Sequence, residues 1–250
     1  MAKRIMRQSV LFILCLLVPF SSVMADKGYV PEKGSAELDK KGKKKKTGKA
    51  TKIDPALPMV LIIGDSISIG YTGKVRAQLK GKANVLHNPG NSQGTTNGLA
   101  KIDAWLGDTQ WDVIHFNFGL HDLKRVKKAG TAQNSNDPDD PYQADLKTYT
   151  SNMEQLVKRL KKTEAKLIFA TTTPFPGGVS PYRAPEDAAK YNAAALKIMK
   201  ANQVEVNDLY AAILPHLKTH QRPVNVHFLP KGSELLAKEV SAKVEALLAR

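Results

Sequence analysis

A polar tripeptide, Gly64-Asp65-Ser66, ends an apolar run that extends from Met59 to Ile63. A serine hydroxyl becomes a nucleophile when a neighbouring imidazole can accept its proton. The same three residues also suit an ordinary turn, because Gly tolerates unusual φ values and Asp and Ser bond to nearby backbone amides. Taken alone, the tripeptide therefore leaves two interpretations open, a catalytic serine or a turn.

Strand and helix patterns alternate along the chain. Apolar runs predict strands, and the stretches between and after them place apolar residues at three- and four-residue spacing, as amphipathic helices do. This alternation predicts a parallel sheet covered on both faces, which is a three-layer α/β/α sandwich. The predicted strands are residues 59–64, 83–87, 112–118, 166–171 and 204–206.

Polar segments follow these strands at the edge where an open α/β sheet forms its ligand crevice. Ser66 is predicted at that edge, directly before a helix whose N-terminal amides favour developing negative charge. This position favours chemistry over a turn. The other polar segments, three of them after strands and the last leading into the final helix, are HNPGNSQGTT, FGLHDLK, TTTPFPGG and NVHFLPKG.

In this order and spacing, the motifs resemble the SGNH branch of the GDSL hydrolases over essentially the whole folded domain. The resemblance implies a Ser-His hydrolase with a flavodoxin-like, five-stranded parallel sheet that acts on esters, without a cofactor or metal. It matches Ser66 to the nucleophile, His227 to the general base and Gly90 to an oxyanion donor. The negative oxygen of a tetrahedral intermediate would then meet the amides of Ser66 and Gly90 and a side-chain donor.

Two positions depart from the family pattern. His121 stands where the pattern has Asn, and it either donates its single N–H to the oxyanion, with a pH dependence that an amide lacks, or only packs in its loop. Val224 stands where the pattern has an acid three residues before the catalytic histidine. A backbone carbonyl near Val224 or Asn225 then holds the His227 ring, or another carboxylate reaches it, or His227 works in a dyad.

Structural roles are expected for several other polar residues. Asp65 and Asp122 flank the site and are expected to brace loops through backbone hydrogen bonds. Arg183, in the Pro-rich loop after the fourth strand, is expected to be solvated, with contact to a substrate carboxylate or hydroxyl as the alternative. His87 and His115 lie within or beside strand patterns and are expected to be core or near-core histidines.

The first 25 residues have the features of a cleavable export signal, which predicts a secreted or periplasmic protein. They comprise a basic start, an apolar run from Val10 to Phe20, and small residues at Val23 and Ala25. The run is too short to span a bilayer comfortably, and an uncleaved anchor is the alternative. Cys15 is the only cysteine, so the mature protein is expected to have neither a thiol nor a disulfide.

Residues 26–55 are rich in Lys and Gly and lack an apolar period, which predicts a disordered linker ahead of a hydrolase domain at 56–250. Of the net charge of +15, residues 1–25 contribute +3 and residues 26–54 contribute +5. The KKGKKKK run is expected to be solvated, with weak contact to anionic surfaces as the alternative. Because no aromatic residues are interleaved with it, specific nucleic-acid binding is not expected.

The sequence as a whole predicts an exported serine esterase that removes acetyl or other short acyl groups, with carbohydrate esters among its candidate substrates. The alternative is a catalytically silent carbohydrate- or ligand-binding protein on the same fold. That alternative stays open because a fold does not determine a function and because His121 and Val224 depart from the family pattern.

Overall fold

The computed structural model describes residues 52–250. The predicted export signal and nearly all of the predicted linker therefore lie outside the described residues. Contacts of the folded part begin ahead of residue 56, because Ile53 packs against the core and the Asp54 amide donates to Asn84 Oδ1 over 2.9 Å. No helix in residues 52–250 is both long and apolar enough to cross a membrane.

A parallel sheet of five strands forms the middle layer of the fold. Its strands are β1 (Met59–Ile63), β2 (Asn84–His87), β3 (Val113–Phe116), β4 (Lys166–Ala170) and β5 (Glu205–Asn207). Their order across the sheet is β2-β1-β3-β4-β5, which is the flavodoxin-like order. The predicted α/β/α sandwich with a five-stranded parallel sheet is confirmed.

Helices cover both faces of this sheet. They are α1 (Ser66–Gln78), α2 (Thr95–Leu106), α3 (Leu146–Leu160), α4 (Asp187–Ala201), α5 (Leu209–Ile213), α6 (Leu217–His220) and α7 (Pro230–Leu248), with 3-10 turns at Lys161–Thr163 and Leu214–His216. Helical periodicity continues through residues 208–220, yet this stretch is divided into α5, a 3-10 turn and α6. The division falls at Pro215, which lacks the backbone N–H that a continuous helix needs.

Two apolar cores lie on opposite faces of the sheet, and β1 contributes to both. Leu61 and Ile63 face the core beneath α2, α3 and α4, whereas Val60 and Ile62 face the core beneath α1 and α7. All four side chains are buried, as expected for a central parallel strand that is covered on both faces. This double burial explains why the sequence of β1 is an uninterrupted apolar run.

The N-terminus of α7 lies close against the loop that precedes it. At Gly232 an added Cβ would lie 2.5 Å from the His220 carbonyl oxygen and 2.9 Å from Phe228 Cβ. Only glycine permits so close an approach without a shift of the neighbouring backbone. This contact fixes the position of the loop that carries His227.

We expect Gly232→Ala to lower the free energy of unfolding by about 1–3 kcal/mol, because the added methyl group overpacks this contact. Gly73→Ala is the matched control, since Gly73 is exposed in α1 and an added Cβ there meets no atom within 4 Å. That change should raise the free energy of unfolding by about 0.5–1 kcal/mol. Urea unfolding followed by circular dichroism measures both. Equal stability of Gly232→Ala and the parent would contradict the close contact.

Candidate active site

Ser66 is the first residue of α1 and follows β1 after a short connection. Asp65 caps this helix, because its Oδ1 accepts a hydrogen bond from the Ile67 amide over 2.9 Å. Burial raises the pKa of Asp65 to about 6, although the bond from Ile67 acts in the opposite direction. The first amides of a helix have no intrahelical acceptor, so Ser66 presents its hydroxyl together with an available N–H at the positive end of the helix dipole.

His227 bonds to Ser66 from the loop before α7. Its Nε2 lies 2.8 Å from Ser66 Oγ, and its Nδ1 lies 2.7 Å from Oδ1 of Asn225. The same Asn225 oxygen accepts from the His227 backbone amide over 2.9 Å, which fixes the orientation of the side-chain amide. Because an amide oxygen only accepts, Nδ1 carries the proton and Nε2 is left to accept the serine hydroxyl proton. Of the arrangements left open by the sequence, the structure has Asn225 holding the ring.

The protonation state of His227 suits a general base. Burial lowers its pKa below the ordinary 6.5, and the positive charges of Arg222 and Arg183 act in the same direction. The ring is therefore neutral at neutral pH, which is the form that accepts a proton. Asn225 orients the ring but, unlike a carboxylate, it has no charge with which to stabilise the imidazolium that forms.

Hydrogen bonds tie the loop after β2 to the serine turn. The Gly64 amide donates to Asn88 Oδ1 over 2.9 Å, and the Ser92 amide donates to the Gly64 carbonyl over 3.0 Å. Between these two contacts Gly90 has a φ of +68°, a left-handed conformation that favours glycine. The loop with the predicted oxyanion donor is thus held directly beside the turn that carries Ser66.

Asp122 braces the loop after β3, as expected from the sequence. Its Oδ1 accepts from the backbone amide of Thr95 over 2.8 Å and from the Thr95 hydroxyl over 2.5 Å. At Gly94 an added Cβ would lie 2.9 Å from the same oxygen, so the contact requires glycine there. Burial raises the pKa of Asp122 to about 7, although the bonds from Thr95 act against this.

His121 lines the same cleft as Ser66 and His227. Burial lowers its pKa to about 3, and the positive charges of Lys124 and Arg183 act in the same direction. The ring is therefore neutral at neutral pH, and the pH dependence predicted for this donor does not extend to that range. No other group in residues 52–250 forms a hydrogen bond with the ring, so its one N–H is available to a ligand.

The cleft that these side chains share has a volume of about 310 Å³. Arg183 lines it, and the expectation that Arg183 is solvated was wrong, because the side chain is only 5% exposed. Its guanidinium donates from Nε to the Leu120 carbonyl over 2.8 Å and from Nη1 to the Pro181 carbonyl over 3.1 Å. Pro181 belongs to the same loop as Arg183, but Leu120 lies 63 residues away in the chain, so no local pattern indicated this burial.

Lys124 also lines the cleft, and reasoning from the sequence missed it. Its ammonium donates to Oδ1 of Asn134 over 2.7 Å. The available signal was its position in FGLHDLK, two residues after Asp122 in a segment already assigned to the crevice. Burial lowers the pKa of Lys124, and Arg183 acts in the same direction.

The two histidines expected in or near the core lie outside this cleft. His115 is fully buried in β3, and burial lowers its pKa to about 4. His87 is partly buried, with Nε2 2.7 Å from Ser68 Oγ and Nδ1 2.7 Å from the Asn88 carbonyl oxygen. Over the described part of the chain, no group of three or more His, Cys, Asp and Glu side chains is placed to hold a metal ion.

The sequence profile of the GDSL-like lipase/acylhydrolase family matches residues 62–235. This range includes the serine turn, both loops with predicted oxyanion donors, and His227. No curated protein is similar enough in sequence to count as a match.

Solved structures with the same fold include esterases and lipases. A lipase/acylhydrolase from Enterococcus faecalis superposes with a TM-score of 0.62 at 19% identity, covering 76% of this chain and 96% of that one. The acetyl xylan esterase AlAXEase has a TM-score of 0.60 at 16% identity, with coverage of 74% and 99%. A catalytic mutant of Axe2, an acetylxylan esterase from Geobacillus stearothermophilus, has a TM-score of 0.61 at 16% identity, with coverage of 75% and 94%. At these identities the superpositions establish the fold.

We expect Asn225→Ala to lower kcat by up to about 10²–10⁴, the range that a positioned general base supplies, because the His227 tautomer is no longer fixed. Asn225→Asp should stay active and raise the pKa of His227, since a carboxylate favours the imidazolium. The acid limb of its kcat/KM profile should then move to higher pH. Profiles of kcat/KM against pH measure both effects. A parent-like rate and profile for Asn225→Ala would mean that another group holds the ring.

A second pair of variants tests His121. Removing one oxyanion donor typically costs about 10²–10³ in kcat, so His121→Ala should fall in this range with little change in KM. His121→Asn restores a side-chain N–H and should keep much of the activity. Because the parent ring is neutral, His121→Asn should keep the parent pH profile near neutrality. Steady-state kinetics, with the fold checked by circular dichroism, decide the matter. If His121→Ala is as fast as the parent, the residue only packs.

Proposed function

The chain belongs to the GDSL-like lipase/acylhydrolase family, and on that premise we propose that it is an exported serine esterase that removes acetyl or other short acyl groups, with carbohydrate esters among its candidate substrates. Members of this family act on ester bonds. The observation that carries the proposal is the 2.8 Å contact between Ser66 Oγ and the Nε2 of His227.

In the first half of the reaction Ser66 attacks the acyl carbon of the ester. Its hydroxyl proton passes to Nε2 of His227, whose other nitrogen is already protonated and donates to Asn225. The Ser66 oxygen forms a bond to the acyl carbon, and the carbonyl electron pair moves onto the carbonyl oxygen. The electron pair then returns to re-form the carbonyl, the bond from the acyl carbon to the alcohol oxygen breaks as that oxygen takes the proton from His227, and the acyl group remains bonded to Ser66.

The negative oxygen of the tetrahedral intermediate needs donors that are already in place. We assign this role to the Ser66 amide, the Gly90 amide and the ring N–H of His121. Two of these donors lie on loops that are held in place by hydrogen bonds. A bond to Asn88 holds the loop of Gly90, and a bond to Asp122 holds the loop of His121. Preorganised donors of this kind stabilise the developing charge without reorganising during the reaction.

In the second half, water replaces the alcohol. His227 is neutral again after the first half, so it accepts a proton from water as the water oxygen attacks the acyl carbon. The bond to Ser66 then breaks, the Ser66 oxygen takes its proton back from His227, and a carboxylic acid leaves. Because the neutral Asn225 gives the imidazolium less support than a carboxylate, we expect moderate turnover.

Two observations support the choice of substrate. Two proteins of the same fold, AlAXEase and Axe2, are acetyl xylan esterases, which is the basis for proposing acetyl groups on carbohydrates here. The cleft has a volume of about 310 Å³ and is partly open to solvent, which leaves room for an alcohol that is larger than the acyl group. Export is proposed from the basic start and apolar run of residues 1–25 alone.

A fluorophosphonate probe tests the nucleophile directly. We expect covalent labelling at Ser66 in the parent, identified by peptide mass spectrometry, and none in Ser66→Ala. His227→Ala should lose nearly all labelling and nearly all hydrolysis of para-nitrophenyl acetate. Ser68→Ala is the matched control, because Ser68 is a second serine with a histidine contact but is buried outside the cleft.

The same set of proteins measures substrate range. Aryl esters of increasing chain length and acetylated xylan should be hydrolysed with a preference for short acyl groups. A correctly folded parent that neither takes the probe nor hydrolyses any ester would overturn the proposal and favour a silent binding protein.

A further inference from the structure

The cleft beside Ser66 and His227 is lined by two cations and by no carboxylate. The cations are Lys124 and Arg183, and both side chains are buried, with 6% and 5% of their surface exposed. Within residues 52–250, neither takes part in an ion pair with an Asp or Glu side chain. Burying a cation without a paired anion costs free energy. Such an arrangement is expected where a ligand supplies the missing anion.

Arg183 is fixed in a conformation that leaves part of its guanidinium for a ligand. The carbonyls of Leu120 and Pro181 accept from Nε and Nη1, while Nη2 has no hydrogen bond to any group in the described part of the chain. Carbonyl oxygens are neutral, so these contacts hold the group without cancelling its charge. A planar guanidinium held in this way is suited to bind a carboxylate or a similar anion.

Lys124 is positioned in a similar manner. One of the three donors of its ammonium is used by the neutral side chain of Asn134, at 2.7 Å, and Asn134 also lines the cleft. The ammonium can therefore offer its other donors to a ligand beside Ser66. Holding it in advance reduces the entropy that is lost when an anion binds.

The nearest acids do not neutralise this pair. The charge of Asp65 raises the pKa of Arg183, and the charge of Asp122 raises the pKa of Lys124. Both carboxyls are nevertheless buried outside the cleft and accept hydrogen bonds from backbone amides. Burial raises the pKa of Asp65 to about 6 and that of Asp122 to about 7, so Asp122 is only partly ionised at neutral pH, while the charge of Asp65 stays beneath the cleft surface. The positive charge of the cleft is thus left for a substrate to balance.

We propose that the cleft selects ester substrates that carry an anionic group, such as a carboxylate, close to the scissile bond, and that Lys124 and Arg183 bind this group. The inference rests on the proposed esterase function and narrows its substrate class. The same chemistry can come from the acyl part, as in a dicarboxylic acid monoester, or from the alcohol part, as in an acetylated acidic sugar.

Two matched substrate pairs distinguish these sources. For the alcohol side the pair is para-acetoxybenzoate and para-acetoxybenzamide, and for the acyl side it is the para-nitrophenyl monoester of adipic acid and para-nitrophenyl hexanoate. Each enzymatic kcat/KM is divided by the uncatalysed rate. The assays are run at about 0.15 M salt, where long-range attraction by the basic chain is largely screened. We expect the anionic member of one pair to be preferred by roughly 10- to 100-fold, the effect of one hydrogen bond to a charged group.

Variants assign the preference to the cleft. Lys124→Gln should reduce it by about 10-fold or more, and Lys124→Arg should keep most of it because the charge remains. Lys127→Gln is the matched control, since Lys127 is exposed, pairs with Asp140 at 3.4 Å and does not line the cleft. It removes the same charge from the same loop and should keep the parent preference.

The outcomes separate this inference from the proposed function. If the neutral ester of each pair is hydrolysed as fast as its anionic partner, the anion proposal fails while the esterase function stands. If a preference exists but Lys124→Gln and Lys127→Gln reduce it equally, it comes from overall charge and the proposal also fails. If no ester is hydrolysed and Ser66 takes no probe, the esterase function itself fails. Should Lys124→Gln not fold, equal hydrolysis of the two esters of each pair by the parent still overturns the proposal, and a preference that Lys124→Arg keeps and Lys127→Gln leaves unchanged supports it.

Discussion

The hydrogen bonds between Asp122 and Thr95 are the constraint on which the site depends most. The Asp122 carboxylate is fully buried and accepts hydrogen bonds from both the backbone amide and the hydroxyl of Thr95. The Thr95 hydroxyl oxygen in turn accepts a hydrogen bond from the Asn152 side chain of α3 over 3.1 Å. One residue thereby joins the loop after β3, the start of α2 and the middle of α3. His121 is the chain neighbour of Asp122, and the loop of Gly90 leads directly into Thr95. The spacing of the proposed oxyanion donors therefore depends on a contact between two residues that do not line the cleft.

The neutral side chain of Asn225 leaves the positive charge of the cleft undiminished. A carboxylate beside His227 would place an anion next to Arg183 and Arg222, the two cations that act on the His227 ring. Such an anion would compete with a negatively charged substrate for the same positive field. With an amide in that position the ring still has the correct tautomer, and the charge of the cleft is not reduced. The loss of support for the imidazolium would thus be offset by the stronger attraction that we propose for an anionic ester.

Sequence reasoning succeeded where the signal was local. The run in β1 is apolar because both faces of the strand are buried, and strands alternating with amphipathic helices are enough to define a parallel sandwich. It failed where a role depends on distant contacts: the Arg183 guanidinium is buried by the carbonyl of Leu120, which is 63 residues away in the chain. The choice of Asn225 to hold His227 was also open, because a tight loop can direct either a side chain or a carbonyl at the ring. Lys124 was missed because its position in the cleft follows from the path of a long loop.

Burial shifts the pKa values of four side chains in the folded domain. Through these shifts the free energy of unfolding depends on pH in two opposing ways. Asp65 and Asp122 have pKa values of about 6 and about 7 in the folded domain, above their ordinary 3.8, so unfolding near pH 5 releases protons from them. His115 and His121 have pKa values of about 4 and about 3, below their ordinary 6.5, so unfolding at the same pH takes protons up. The acids destabilise the fold as pH rises from about 4 towards 7, and the histidines stabilise it as pH rises towards about 6.5. Two groups of each kind leave almost no net proton exchange near pH 5, and together they contribute little pH dependence to stability in mildly acidic surroundings.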